Sequence, residues 1–360
     1  MTQPKILNLM DGATGAAFEV MQQVKGSKEV AQDAKRHLEE RLEAYEDIID
    51  SEVGDTSLVR ARNIERELGF RQLYLKFEGG NPTGTQKDRI AFAQAMDAMR
   101  RGFDTITVAT CGNYGAAMAL AASLAGLRCL IFIPAGFHTK RIKDMTDLGA
   151  EIQHIRGDYE NAVEASRMRA QRDDYYDANP GGDNTGLQLT AYGQIAYEIY
   201  DELRDAPLAV AVPVSNGTTL SGLYKGFLSL YRRGKTSRMP RIVAGSSFRK
   251  NPIVRAYLKN TPHCRDLDPA RIRETAVNEP LINWHAIDGE HALGAIRETN
   301  GWAADASDRG MRSATKILRE KEGLQVLPAS TAGLIALMAH HKENGLPADR
   351  YVAVLTGRKS

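Results

Sequence analysis

The runs Thr105 to Thr110, Cys129 to Pro134, Glu151 to Ile155, Leu208 to Val214, Arg241 to Ser247 and Tyr351 to Leu355 are short and rich in apolar residues, and helix-like stretches separate them. A strand with one wet face alternates apolar with polar residues, whereas a parallel strand flanked by crossover helices is buried on both faces and loses that alternation. The chain is therefore expected to be an α/β protein of open, twisted parallel sheets. Leu73 to Glu78 reads as a further strand and Ile90 onward as a helix. No tandem repeat, low-complexity tract or flexible linker is visible, so a division into lobes has to come from the chain crossing between two sheets.

Two segments stand apart. Residues 25 to 49 carry Val30, Ala34, Leu38, Leu42 and Tyr45 or Ile48 at helical spacing among charged residues, which predicts one long amphipathic helix serving as an arm or dimer contact. The stretch from Pro262 to Asp308 is polar and interrupted, and reads as a lid or a surface excursion.

Composition removes several classes of function. The chain has 360 residues, 42% of them hydrophobic, and a net charge of +2, which suits a soluble globular protein large enough for two lobes and shows no basic excess for nucleic acid. Cys111, Cys129 and Cys264 lack paired spacing, so neither a disulfide framework nor a zinc site is expected, and the eight histidines show no ligand spacing. A reducing compartment follows, and with no leader pattern and no apolar run of membrane-spanning length the expectation is a cytoplasmic protein with no membrane partner.

Chemistry is sought in the loops that follow strands, because open parallel sheets bind ligands outside the carboxyl ends of their strands. Lys87 closes the run Gly79-Gly80-Asn81-Pro82-Thr83-Gly84-Thr85-Gln86-Lys87-Asp88-Arg89, between a tight turn and a helix start, where a lysine can be held and desolvated as a nucleophile. Taken alone, such a lysine is more often a solvated surface group. A phosphate-binding P-loop fails by register, since Thr85 and Gln86 intervene before Lys87, and no Gly-x-Gly-x-x-Gly loop follows a strand. Thr110-Cys111-Gly112-Asn113-Tyr114 leads from a strand into an Ala-rich helix and suits a substrate carboxylate, with Asn113 beside it to bond a phenolic or carbonyl oxygen. Ser215-Asn216-Gly217-Thr218-Thr219 forms a second strand-to-helix turn whose N–H groups and hydroxyls suit a phosphate. Thr356-Gly357 ends the last strand with one neutral hydroxyl. Each turn also has a plain reading as a helix cap or strand end.

Taken together these features resemble the fold type II pyridoxal phosphate enzymes, the tryptophan synthase beta-like superfamily, and within it the threonine synthase branch. Lys76-Phe77-Glu78-Gly79-Gly80-Asn81-Pro82-Thr83-Gly84-Thr85-Gln86-Lys87-Asp88-Arg89 is similar to that family's lysine segment, Thr56-Ser57-Leu58-Val59 to its opening, and Glu322-Gly323, Pro328-Ala329-Ser330 and Val354-Leu355-Thr356-Gly357 to its closing segments. The resemblance spans roughly residues 55 to 358. It implies that Lys87 forms a Schiff base with pyridoxal 5'-phosphate, that Asn113 contacts the ring oxygen, that Ser215, Asn216, Gly217, Thr218 and Thr219 hold the phosphate, and that Thr356 faces the pyridine nitrogen. Thr110, Cys111, Gly112, Asn113 and Tyr114 would then bind the substrate.

The resemblance further implies a homodimer of two-lobed subunits acting on a small amino acid. The expected division is a helical arm over 1–50, a large cofactor lobe over 51–94 and 191–360, and a small lobe over 95–190 carrying the carboxylate loop. The expected reaction is elimination or replacement at the β or γ carbon, as in the conversion of O-phosphohomoserine to threonine and phosphate. Departures keep other outcomes open, chiefly Asn179-Pro180-Gly181-Gly182, where threonine synthases usually continue to a phosphate-holding arginine. The alternatives are a serine or threonine dehydratase, a diaminopropionate ammonia-lyase, a β-replacement synthase, or a pyridoxal phosphate-binding protein without turnover.

Overall fold

The computed structural model describes residues 13–110, 112–136 and 141–359. Its strands are β1 (Leu58–Arg60), β2 (Leu73–Phe77), β3 (Thr105–Ala109), β4 (Arg128–Pro134), β5 (Glu151–Ile155), β6 (Tyr176–Asp177), β7 (Ala209–Pro213), β8 (Arg241–Ser247), β9 (Trp302–Ala306) and β10 (Tyr351–Leu355). They form two sheets, ordered β5-β4-β3-β6 and β1-β2-β10-β7-β8-β9. All pairings are parallel except that of β1 with β2. Strands β3, β7 and β10 are buried along their whole length, as an apolar run flanked on both faces requires.

The sheets belong to separate compact units, one of residues 1–54 and 81–187, the other of 55–80 and 188–359. The chain thus passes between them after Gly54, Gly80 and Leu187. Lys87 falls in the first unit, whereas the division read from sequence groups residues 51–94 with the second.

In the first unit the helix Tyr159–Asp173 packs on β3 and β4, and the helices Lys87–Arg100 and Asn113–Ala125 pack on one another. The amino-terminal segment is not one long helix. It is broken into Lys25–Gln32 and Leu38–Glu52, because the Asp33 side chain accepts the Lys35 N–H at 3.0 Å and offers the backbone a local turn in place of the next helical bond. Nor does it stand apart as an arm: Tyr45 is fully buried, donates to the Ala121 carbonyl at 3.0 Å and stacks on Phe92.

In the second unit the helix Ala332–Asn344 lies against β7, β8 and β9, with Leu334, Ala336 and Leu337 in a core that includes Leu75, Ala211, Val243 and Ala353. The region from Pro262 to Asp308 is only partly an excursion, since it contributes the helix Gly289–Glu298 and the sheet-edge strand β9. Its Trp302 is buried and donates its indole N–H to the Ala336 carbonyl at 3.1 Å. Strand β1 is exposed along most of its length and was not legible as a strand, being three residues with little apolar signal.

An ion pair between a buried lysine and a half-buried glutamate ties the start of the second unit together. Lys76, 1% exposed, gives its ammonium to the Thr56 carbonyl and the Glu198 carboxylate, and that carboxylate also accepts the N–H groups of Asp55 and Thr56. Removing one partner of such a pair strands a buried charge, which costs more than the pair itself contributes. Glu198→Ala is therefore expected to lower stability by about 3 kcal/mol, while Lys76→Met combined with Glu198→Leu recovers most of that loss. Urea unfolding of the three proteins checks this, and an unchanged midpoint for Glu198→Ala would show the pair to be energetically idle.

Candidate active site

The turn after β7 has a distinct polarity. Its carbonyls are drawn back: Val214 O accepts the Ser246 hydroxyl at 2.6 Å, Ser215 O the Asn251 side-chain amide at 2.9 Å, Asn216 O the Asp288 N–H at 2.9 Å and Gly217 O the Ser221 N–H at 2.9 Å. The N–H groups of Asn216, Gly217, Thr218 and Thr219 meet no acceptor among the described residues, and Thr218 opens a 15-residue helix. Carbonyls satisfied on one side and N–H groups open on the other make an anion-binding concavity, to which the helix dipole adds.

Gly217 makes this geometry possible. Its φ is +95°, and a Cβ there would lie 2.9 Å from both Ala292 Cβ and the Asp288 carbonyl oxygen. The hydroxyl of Ser221, in the same first turns of the helix, is buried with no partner among the described residues. A phosphate group fits this donor set. The side-chain donors foreseen from sequence are only partly available, because the Thr218 hydroxyl donates to Asp288 Oδ2, while the Asn216 side chain accepts from Asn283 through its Oδ1. Asn251, Asn283 and Asp288 were missed, since Asn251 is brought in from the loop after β8 and the other two from the segment before the helix Gly289–Glu298. Asn251 Oδ1 also caps the helix Pro252–Leu258, a role its Asn-Pro start signals locally.

At the end of β10 the Thr356 hydroxyl sits 3.2 Å from the hydroxyl of Ser330. Ser330, 1% exposed, also donates to the Gly357 carbonyl at 3.2 Å and accepts the Gly357 N–H at 3.0 Å. This edge of the second unit thus presents a neutral hydroxyl pair. The partnership of Ser330 with Thr356 was not legible, because the two lie 26 positions apart.

In the first unit, the turn before Lys87 is built on buried polar groups. Asn81 accepts the Gly54 N–H at 2.9 Å through its side chain, and its carbonyl accepts the Gly84 N–H at 2.9 Å, with Gly84 at φ +88°. Asp88, wholly buried, accepts the Thr83 N–H at 3.0 Å and the Thr83 hydroxyl at 2.8 Å. This lashes the turn to the first residues of the helix Lys87–Arg100. Lys87 itself is half-buried, with its Nζ 5.6 Å from the centroid of the Tyr114 ring.

Asn113 opens the helix Asn113–Ala125, and its Oδ1 accepts from Arg141. Thr110 Oγ1 accepts the Gly112 N–H at 3.3 Å, and Gly112 caps that helix in an extended conformation. The Tyr114 hydroxyl is turned inward: it donates to the Ala178 carbonyl at 2.8 Å and accepts from Gln94. Only its ring faces Lys87, so the phenol expected beside a substrate carboxylate is committed to the unit's interior. Cys111 lies outside the described residues. The first unit therefore brings Lys87, Asn113 and Tyr114 into one neighbourhood, and the second holds the Ser215–Thr219 turn and Thr356.

The described residues hold no cluster of metal-ligating side chains and no helix long and apolar enough to cross a membrane. Both described cysteines are held in the thiol form. Burial and the nearby Glu151 push the Cys129 thiol up to about 12, and burial with Glu290 pushes Cys264 up to about 11.

Residues 49–357 match the family of pyridoxal-phosphate dependent enzymes. The threonine synthase of Methanocaldococcus jannaschii is 30% identical over 310 residues, which cover 84% of this chain and 74% of the relative. That of Bacillus sp. (strain ULM1) is 31% identical over 307 residues, covering 84% and 82%. Among solved structures, maize serine racemase has a TM-score of 0.73 at 18% identity, covering 89% of this chain and 93% of its own. The processed form of threonine deaminase isoform 2 from Solanum lycopersicum has a TM-score of 0.70 at 17% identity, covering 89% and 90%. These structural likenesses speak for the fold. The chain belongs to the pyridoxal-phosphate dependent enzymes: it is a fold type II lyase similar to the threonine synthases, and pyridoxal 5'-phosphate is its cofactor.

Proposed function

We propose that the chain catalyses elimination and replacement at the β and γ carbons of a small amino acid, with O-phosphohomoserine as substrate and threonine and phosphate as products. The observation that carries this reading is the standing of the two lysines in the motif. Lys76 is consumed by the Thr56 carbonyl and Glu198, whereas Lys87 stands at a braced helix start with its Nζ over the Tyr114 ring. Lys87 lies in the motif segment that resembles the family's lysine segment, and its place at a strand-to-helix turn supports it as the amine for the cofactor's aldehyde.

The remaining roles follow from the donors and acceptors each residue has left. The N–H groups of Asn216, Gly217, Thr218 and Thr219, with Ser215 at the head of the turn, take the cofactor's phosphate without any cationic side chain. Asn113 offers its side-chain N–H groups to the ring oxygen. Thr356, sharing a proton with Ser330, faces the ring nitrogen as a neutral partner. Thr110, Gly112 and Asn113 supply the polar groups at the helix start that suit the substrate carboxylate, and Tyr114 contributes its ring as a wall.

Bound pyridoxal phosphate supplies an electron sink for the charge that develops on the substrate's α carbon. A neutral hydroxyl at the ring nitrogen makes that sink a moderate one, which suits loss of a leaving group over prolonged carbanion chemistry. Lys87 would serve as the base for the substrate's α proton and as the acid that returns protons further along the side chain. A cytoplasmic homodimer without nucleic-acid partners is part of the same proposal, supported by unpaired cysteine spacing and a net charge of +2.

One observation favours a second reading, a lyase that releases ammonia from threonine, serine or diaminopropionate. The segment from Asn179 to Asn184 has no arginine to hold a substrate phosphate. Asn179 turns its side chain inward instead, accepting the Ala109 N–H at 2.8 Å and donating to Ser166 at 2.9 Å and Asp177 at 2.6 Å. Parallel assays of phosphate release from O-phosphohomoserine and ammonia release from the three amino acids separate the readings. Phosphate release is expected to dominate; ammonia release alone would replace the first reading with the second.

Lys87→Ala is expected to abolish the visible absorbance of the bound cofactor and to reduce turnover by about 10⁴-fold or more, with the fold intact by circular dichroism. Colour that borohydride still fixes to another lysine would remove Lys87 from this role. Gly217→Ala is expected to weaken cofactor binding about tenfold, because the left-handed backbone and the contacts at Asp288 and Ala292 both resist a Cβ. Absorbance titration with pyridoxal phosphate checks it, and an unchanged Kd would take the turn out of the site.

A further inference from the structure

Arg141, at the head of the helix Arg141–Asp147, was not singled out by the sequence. Its guanidinium makes a fork on one atom: Nε lies 3.1 Å and Nη2 2.9 Å from Asn113 Oδ1. Nη2 also donates to the Thr83 carbonyl at 3.2 Å, four residues before Lys87, and Nη1 to Asp144 Oδ2 at 3.1 Å. The Arg141 side chain is 12% exposed and that of Asp144 16%.

The chemistry of the fork decides the orientation of Asn113. A guanidinium carries only donors, so the atom facing it must be the amide oxygen, and the amide nitrogen with its two N–H groups is turned the other way. A bond from a charged donor also polarises the amide and strengthens those N–H groups. The same guanidinium joins the Asn113 helix start to the turn that carries Lys87. We infer that Arg141 is a positioning residue: it locks Asn113 as a donor-only group toward the cofactor's ring oxygen. This rests on the cofactor role proposed for Asn113. Arg141 is not itself a substrate-phosphate site, because Nε, Nη1 and Nη2 are already directed at Asn113, Asp144 and Thr83. With the arginine removed, the Asn113 amide is free to turn over and present its carbonyl to an oxygen that accepts, which opposes binding instead of assisting it.

The experiment is an absorbance titration with pyridoxal phosphate of the wild type, Arg141→Met, Arg141→Lys, Asn113→Ala and the double variant Arg141→Met/Asn113→Ala. Arg141→Met is expected to raise the Kd about tenfold, the loss expected for one hydrogen bond to a charged group, and to move the visible maximum in the same direction as Asn113→Ala. Arg141→Lys, keeping one charged donor, is expected to recover at least half of the change. The double variant is expected to bind no worse than Asn113→Ala, because Arg141 acts through Asn113. A wild-type Kd and maximum in Arg141→Met, or a double variant showing the product of the two single effects, overturns the inference. Should Arg141→Met not fold, Arg141→Gln, which keeps one neutral amide donor and loses the fork, replaces it with the same outcomes. A wild-type protein that takes up no pyridoxal phosphate would sink the cofactor role of Asn113 itself, a failure distinct from that of Arg141.

Discussion

A buried parallel strand has to surrender its backbone polarity at its carboxyl end, where the ladder stops and the carbonyls and N–H groups of the next residues need partners. The turn after β7 meets this constraint asymmetrically. Ser246, Asn251, Asp288 and Ser221 satisfy four successive carbonyls, and among the described residues nothing comparable faces the N–H side. The concavity for an anion is thus what remains after the other half of the backbone has been paid for. Its strength depends less on the residues of the turn than on the buried side chains behind it.

The same construction recurs at the other loops. Asp88 braces the Lys87 turn through Thr83, Asn179 satisfies the Ala109 N–H at the end of β3, and Ser330 closes on both polar groups of Gly357 after β10. Each brace is a short polar side chain buried beneath a loop, where an unpaired group would cost more than the bond contributes. Loops held this way are rigid without being apolar, which is what a site made largely of backbone donors needs.

This division of labour explains what could be read in advance. Strands β2, β3, β4, β7, β8 and β10 were legible because burial writes itself as an apolar run, β1 and β6 were too short to show one, and the turns after β2, β3 and β7 drew notice because small residues gather there ahead of a helix. Strand β9 was not legible, since Trp-Ala-Ala-Asp-Ala carries a polar residue and sits within an irregular stretch; its place at the sheet edge comes from pairing with β8. The long amino-terminal helix failed at Asp33, where a local side-chain bond competes with the helix and no proline or glycine warns of it. The inward turn of the Tyr114 hydroxyl was not legible because sequence gives a side chain's position but not its direction. Arg141, Asn251, Asn283 and Asp288 were invisible for one reason: each acts on a loop distant in sequence, and no local pattern marks an arginine or asparagine as a brace.

The hydroxyl pair of Thr356 and Ser330 bears on why this scaffold suits leaving-group chemistry. Gly357 offers Ser330 an N–H donor and a carbonyl acceptor, so a Ser330 proton given to the carbonyl leaves Thr356 to donate toward Ser330 and to present lone pairs outward. If Ser330 instead donates to Thr356, the threonine proton is released outward. Both arrangements are neutral and exchange by rotating two hydroxyls, without moving a charge through the buried end of β10. If Thr356 faces the ring nitrogen as proposed, a carboxylate in its place would hold a proton on that nitrogen and favour deep delocalisation of charge. With Thr356 at the ring nitrogen as proposed, a rotatable neutral pair would be able to accept or donate there and would suit a transient charge better than a persistent one. In the proposed reaction that bias directs the electrons toward expelling the substrate's leaving group.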